Sequence, residues 1–430
     1  MSSMNRKNPR QGPSRRDFLK TSGGAAFSLA ALPWLPLVEF SKRPLAPASR
    51  DVLVHIFLRG GADALCLFPP YGDPNYYLVR SANAVPTPSS GGPNAAVDLD
   101  GYFGMHPALA PLLPAYQAGH LAVVQAVGIP NPSRSHFERE RMVEYGDNAG
   151  TIGSGWIARH LASLPPLNPT APLRGLGVRT DLPYALAQAP STLPIPDPAN
   201  SGLYGQVSSQ AARLAFLSAT YNREEPDLAA KAQSTFATLA MLGAINFAGY
   251  VPAGGAVYPS VGSYASFGQG LRAAAALIKA QVGVETIALD LGDWDTHGTQ
   301  GTFGGTFHGL ATALAQGLSA FYTDVIANGG PNVTVVVVSE FGRRVLENAN
   351  SGTDHGHGGM MMVLGQNVAG GQVITQWPGL APNQLFEGLD LATTIDCRDI
   401  LAEILADRLA NPATAIVFPG FAPTFRNVTN

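Results

Sequence analysis

Two apolar runs, each stopping abruptly at a cluster of acids and histidines, constrain this chain most. Thr286-Ile287-Ala288-Leu289 leads into Asp293-Trp294-Asp295-Thr296-His297, and Val333-Thr334-Val335-Val336-Val337-Val338 leads into Ser339-Glu340-Phe341-Gly342-Arg343. Runs without period-2 alternation suit strands buried on both faces, as in parallel sheets covered by helices. In such sheets ligands bind beyond the carboxyl ends of the strands, so the polar clusters fall where a site belongs. A third block, Gly352-Thr353-Asp354-His355-Gly356-His357-Gly358-Gly359, follows. Asp, Glu and His with no cysteine among them suit a divalent ion such as zinc, manganese, magnesium or calcium better than a thiolate centre. One such cluster would read as a capped strand end or a Gly-rich turn; three in succession point to a metal site.

The rest of the chain supplies the alternation that a parallel α/β sheet requires. Asp51 to Leu58 reads as a first strand ending at Arg59-Gly60-Gly61-Ala62-Asp63, and Leu121 to Val127 as a second. Between them, Pro107 suits the first turn of a helix running to about Gln117. The loop after the second strand leads to Ser133-Arg134-Ser135-His136-Phe137-Glu138, where a helix begins and where Ser135 with Glu138 fits a capping box. Helices over Phe267 to Ala280 and Thr306 to Ile326 feed the two later strands, and Asp396 is placed to cap a late helix over Asp399 to Leu409. From about 165 to 260 the chain is proline-rich, with one expected helix from Pro226 to about Leu242 and no clear alternation. That segment reads as an insertion over the site or lining its mouth, and as the source of substrate specificity. The expected architecture is thus a largely parallel central sheet flanked by helices, with an inserted loop and helix region.

Ser14-Arg15-Arg16-Asp17-Phe18-Leu19-Lys20 follows a basic stretch and precedes a weakly apolar run from Gly23 to Phe40. This is the layout of a twin-arginine export signal, with small residues for cleavage at Ala46-Pro47-Ala48. Pro33 and Pro36 argue against a membrane span there, and no second stretch is long and apolar enough for one. The expected domains are therefore a signal over 1–48 and a mature domain over 49–430, periplasmic or secreted. Net charge is −3, which leaves no electrostatic case for nucleic acid as a partner. The translocase during export and an ester substrate are the expected partners. Cys66 and Cys397 make no disulfide framework; they either pair or are two small buried hydrophobes.

As chemistry, Asp293 and His297 can meet one ion across a tight turn, with Asp295 joining them or supporting from behind. Glu340 sits where the next strand stops, Asp63 ends the first strand, and His355 and His357 lie in a loop whose glycines let the backbone come close to an ion. Ser133 and Ser135 offer a hydroxyl at a helix start, where the helix field favours a tetrahedral anion, and Arg134 or Arg343 could clamp its oxygens.

Asp63 after the first strand, a serine at a helix start after the second, Asp-x-x-x-His after a later strand, an acid after the next and then a histidine loop resemble the alkaline phosphatase-like superfamily. More closely, Leu58-Arg59-Gly60-Gly61-Ala62-Asp63, Ser133-Arg134-Ser135-His136-Phe137, Asp295-Thr296-His297, Ser339-Glu340-Phe341-Gly342-Arg343 and Thr353-Asp354-His355-Gly356 resemble the exported bacterial family catalogued as domain of unknown function 1501. The resemblance implies an alkaline phosphatase-like fold, with Asp63, Asp293, His297, Glu340 and His355 or His357 as metal ligands and Ser135, or else Ser133, as nucleophile. The superfamily usually has Asp-His where this chain has Glu340-Phe341. Either one metal is held, or the second loop histidine replaces the missing ligand. No cysteine for formylglycine conversion occurs in the Ser133–Phe137 segment, which weighs against an ordinary sulfatase.

The expected function is that of an exported, metal-dependent hydrolase of phosphate or sulfate esters; the alternative is a non-catalytic relative that binds a cell-envelope polymer or a partner protein. Export has its own test. Replacing Arg15 and Arg16 together by lysine should strand the precursor in the cytoplasm, since the pathway reads the arginine pair itself. Normal periplasmic yield of the double-lysine chain would remove the twin-arginine assignment.

Overall fold

The computed structural model describes residues 50–430 apart from Tyr204; the paired arginines and the expected cleavage site lie outside the described residues. The larger compact unit takes in Pro47–Gly202 and Ala240–Asn430, while Leu203–Leu239 belongs to a second unit. In that second unit the helix Gln210–Tyr221 faces the start of the helix Pro226–Ala244, with Gln233 donating to Ser218 and to Asn222 at 3.2 and 2.8 Å.

The strands in chain order are β1 (Val52–Leu58), β2 (Val97–Asp98), β3 (Gly104–Met105), β4 (Leu121–Gly128), β5 (Gly175–Gly177), β6 (Thr192–Pro194), β7 (Thr286–Leu291), β8 (Val333–Ser339), β9 (Gly359–Gly365), β10 (Gln372–Ile374) and β11 (Ile395–Asp396). β2 and β3 form a small hairpin, and the other nine form one sheet in the order β10-β4-β9-β8-β1-β7-β5-β6, with β11 also on β4. β1 lies parallel between β7 and β8. β5 and β6 continue the parallel run beyond β7, and β10 and β11 are parallel to β4. Only β9 is reversed, antiparallel to both β4 and β8.

The unbroken apolar runs have the expected cause: the sheet is covered on both faces. Val54, Ile56 and Leu58 of β1 and Val333, Val335 and Val337 of β8 face one core, shared with the helices Ala265–Ala280 and Thr306–Phe321. Leu53 and Phe57, with Val336 and Val338, face the other core, shared with the helices Trp156–Ser163 and Cys397–Asp407. Each fully buried Val or Leu contributes roughly 1.5–3 kcal/mol over an exposed one. Cys66 packs in the first core and Cys397 in the second. Both are free and buried, so of the two readings open at the outset they are buried small hydrophobes, separated by the sheet.

Several elements differ from the sequence reading. The stretch expected as an insertion contributes β5 and β6 to the sheet; three residues apiece, carrying Gly or Pro, they leave no legible run. β9 was also hidden, because Met360-Met361-Met362 lacks the β-branched residues that mark a strand. The helix expected over Thr306 to Ile326 changes to π geometry at Tyr322–Ile326. The one near Pro107 is a 3-10 segment, Pro107–Leu112, followed by a short α-helical Leu113–Gln117, as prolines at 111 and 114 would impose. Among the described residues no helix is long and apolar enough to cross a membrane.

Three histidines away from the strand-end clusters are wholly buried, and desolvation is the first cause that lowers each from 6.5. His55, edge-on to Trp156 at 5.8 Å, falls to about 3. His160, paired with Asn411 at 2.9 Å, also falls to about 3. His106, on the Thr302 carbonyl at 3.0 Å, falls to about 4. The folded chain therefore binds fewer protons than the unfolded one between those values and 6.5. Stability should be complete above 6.5 and lost as pH falls through it, by about 4 kcal/mol for the three between about pH 7.5 and 5.5. Urea unfolding at the two pH values measures this; level stability would mean that the rings are charged in the folded state.

Candidate metal centre

β1, β4, β7 and β8 all end at one edge of the sheet, and the reversal of β9 brings its entry loop to that same edge. Five segments meet there: Gly60-Gly61 after β1, the 129–135 loop and His136 after β4, Asp293 to His297 after β7, Glu340 to Arg343 after β8, and Asp354 to His357 before β9. Close backbone approach explains two of the glycines. A Cβ on Gly60, whose φ is +116°, would lie 2.5 Å from the Asp295 nitrogen, and one on Gly356 would lie 2.4 Å from the Arg343 carbonyl carbon. Arg343, buried, ties the segments together. Its guanidinium donates to the carbonyls of Gly61 at 2.7 Å, Thr353 at 2.9 Å and Trp294 at 2.9 Å, to that of Gly60, and to Asp295 Oδ1 at 2.6 Å.

Three imidazoles converge at this edge. His355 Nε2 lies 2.9 Å from His136 Nε2 and 2.9 Å from His297 Nε2. Asp295 Oδ1 is 3.0 Å from the Nε2 of His297, 3.0 Å from that of His355 and 3.5 Å from that of His136. The opposite nitrogen of each ring faces an oxygen acceptor: His136 Nδ1 meets Glu340 Oε1 at 2.7 Å, His297 Nδ1 meets Asp354 Oδ1 at 2.9 Å, and His355 Nδ1 meets the Arg134 carbonyl at 2.8 Å. Those acceptors require a proton on every Nδ1, which leaves a lone pair on every neutral Nε2. Three lone pairs and a carboxylate oxygen so close together repel unless a cation or a proton lies among them. Acceptors that fix tautomer and ring orientation from behind are the arrangement found around metal-bound histidines.

The charges fit the same picture. Burial raises the Asp295 carboxyl, but the Arg343 hydrogen bond and charge outweigh it and hold the group down to about 2. The Glu340 hydrogen bond raises the proton affinity of His136, whereas burial lowers that of His355. His136, Asp295 and His355 form a group that could hold a metal ion, and His297 lies beside it, its Nε2 close to His355 and Asp295. Nitrogen-rich donors of this kind suit zinc or a similar transition ion better than calcium or magnesium.

The sequence-derived candidates divide. His297 and His355 are brought together. Glu340 is fully buried behind His136, accepting also from the Gly60 N–H at 2.8 Å and from Ser339 Oγ at 2.9 Å. Asp63 is committed elsewhere: it pairs with Arg80 through contacts of 2.6 and 3.0 Å, accepts from Gln300 at 2.8 Å, and caps the turn at Leu65. Asp293 is exposed at a left-handed φ of 69° and turns the chain, while Asp295 takes the place facing the rings. The His357 ring stacks on Phe386 at 4.3 Å. Phe341 lies 4.9 Å from the His136 ring and 5.0 Å from the His355 ring, walling the cluster. Arg134 is engaged with Asp390 at 2.8 Å and Glu387 at 2.7 Å. Ser133 Oγ donates to Glu138, so the capping box expected at Ser135 does not form; Ser135 occupies the N-cap position without a side-chain cap bond.

His136 was present in the sequence only as part of a motif. The signal that could have found it is its position: a histidine opening the helix that follows a strand ending at the expected site edge.

No curated protein matches the chain. A family model described as "Protein of unknown function (DUF1501)" matches residues 50–411, a span that includes every strand of the sheet together with His136, Asp295, His297 and His355, and the chain belongs to that family.

Proposed function

We propose that this protein is an exported, metal-dependent hydrolase of phosphate or sulfate esters with an alkaline phosphatase-like fold. The observation that carries the reading is the convergence of three Nε2 lone pairs and one carboxylate oxygen at the carboxyl edge of a largely parallel sheet. His136, His297, His355 and Asp295 would hold one divalent ion, with zinc or manganese the best match to the donors. Bound there, such an ion supplies positive charge that lowers the pKa of a nearby hydroxyl or water and stabilises an oxyanion. One ion rather than two accords with Phe341, whose ring fills space beside His136 and His355.

The remaining roles fall to the chain's own groups. Glu340, Asp354 and the Arg134 carbonyl hold the three rings, and Arg343 keeps Asp295 ionised and in place. Ser135 precedes His136 directly, and its hydroxyl is not spent on capping. As attacking oxygen it would bond to phosphorus or sulfur while the ester alcohol leaves, and water would then release the free acid. Exposed Asp295 and His297 leave the edge open to a substrate from solvent.

Two outcomes test this. Purified protein should carry close to one divalent ion per chain and hydrolyse at least one member of a phosphate and sulfate ester panel only when loaded. Glu340→Leu should weaken metal binding by roughly 10–100-fold, with Glu340→Gln milder because its amide oxygen can still accept from His136. A metal-free wild type after incubation with zinc and manganese would defeat the reading. Separately, Ser135→Ala should cost less than about 0.5 kcal/mol of stability, since no cap bond is lost, yet abolish ester hydrolysis. Turnover near that of the wild type would remove Ser135 as nucleophile and shift the attack to Ser133 or to water.

A further inference from the structure

Of the three imidazoles, that of His297 is the most open. Its side chain is 45% exposed, against 25% for His136 and 23% for His355, and Phe341 packs on the latter two. It is carried by the turn after β7 rather than by a strand or a helix. A ring in such a place keeps its Nε2 turned to the cluster only if other groups hold it. Asp354 holds it through Nδ1, yet Asp354 is itself 43% exposed.

Asn348 holds both. Its side-chain amide donates to the His297 carbonyl at 2.8 Å and to Asp354 Oδ1 at 3.0 Å, the same oxygen that faces His297 Nδ1 at 2.9 Å. Carbonyl, amide, carboxylate and ring thus form a closed cycle that begins and ends on His297. The amide cannot turn over. Its oxygen accepts from the N–H groups of Asn350 at 2.9 Å and Gly352 at 3.2 Å, so its two donors and two acceptor sites are all filled, and a flip would set the oxygen against two acceptors. The loop beneath is fixed as well. The Asn348 N–H donates to the Gly352 carbonyl at 2.9 Å, and the neighbouring Glu347 carboxylate accepts from the N–H groups of Ser81, Ala82 and Asn83 at 3.2, 3.0 and 2.5 Å. Hydrogen bonds near water contribute little on balance, but a donor already locked in place loses little freedom in making them.

We propose that Asn348 is the positioning residue of His297: by gripping its carbonyl and the carboxylate behind its ring, it keeps the most open imidazole of the centre in coordinating orientation. This rests on the metal-centre part of the proposed function and needs nothing of the substrate. Asn348 faces the far side of the ring from the Nε2 cluster, so it acts on a bound ion only through His297 and Asp354.

Metal titration of the full chain against a competing chromophoric chelator, with zinc and with manganese, tests it without any need for activity. Asn348→Ala should weaken binding roughly tenfold, the lower end of the effect for groups behind a ligand, because Asn348 stands one contact further out. In an Asp354→Ala chain, where the carboxylate it grips is gone, the same substitution should weaken binding by less than about twofold. In a Glu340→Gln chain, where the altered support belongs to His136, the loss should persist in full. His136, Asp295, His297 and His355 remain in every chain, and a merely structural loop residue would give the same loss in all three. If Asn348→Ala does not fold, Asn348→Asp takes its place: it keeps both acceptor bonds of the loop and loses the donor. Its added charge acts in every chain, so the loss is then read as the difference between the Asp354→Ala and Glu340→Gln backgrounds. An equal loss in all three chains, or undiminished affinity in the variant, overturns the proposal and leaves the metal centre standing. A wild type that takes up neither ion overturns both. Binding that depends on Asn348 in a protein that hydrolyses no ester would sustain the proposal and sink the hydrolase reading.

Discussion

The guanidinium of Arg343 holds this edge of the molecule in one arrangement. It sits after β8 and bonds the carbonyls that follow β1, the carbonyl and carboxylate that follow β7, and the carbonyl of Thr353 before β9. Four segments distant in sequence thereby share one planar set of donors. Burial of a guanidinium is costly unless its donors are satisfied, and here carbonyl oxygens satisfy it with only one carboxylate among them. That carboxylate is Asp295, so the group that organises the backbone also fixes the single anionic donor of the cluster. Lysine could not substitute, since a point charge cannot direct five donors outward in one plane.

From that tie the site follows layer by layer. Gly60 lets the end of β1 pass against the Asp295 backbone, and its N–H then meets Glu340, which orients His136. The His loop bridges Arg343 through His355, placing Asp354 behind His297. Each imidazole is oriented by an oxygen from a different segment. The price of this order is a set of lone pairs that repel one another, and a bound cation would turn that repulsion into attraction.

How far the sequence revealed this depends on which physical signal each part carries. β1, β4, β7 and β8 were legible because burial on both faces demands unbroken apolar runs, and their polar ends marked the site edge. His297 and His355 were legible because they lie in such ends. His136 was not, because its role depends on the loop after β4 crossing to the Glu340 side, a tertiary fact with no local pattern. Asp293 and Asp295 are two residues apart, and only the left-handed turn at Asp293 decides which faces the rings. Asp63 looked like a ligand from its place after β1, yet Arg80, from a short helical turn with no periodic signal, claims it. The reversed β9 carries methionines, whose flexible side chains fill a core without announcing a strand.

Anomalous diffraction at the absorption edge of the bound metal tests the central claim most directly. Crystals of the loaded protein should give one strong peak enclosed by the Nε2 atoms of His136, His297 and His355 and by Asp295 Oδ1. A peak at His357 or Asp63 instead, or no peak in crystals grown with zinc or manganese in excess, would contradict it.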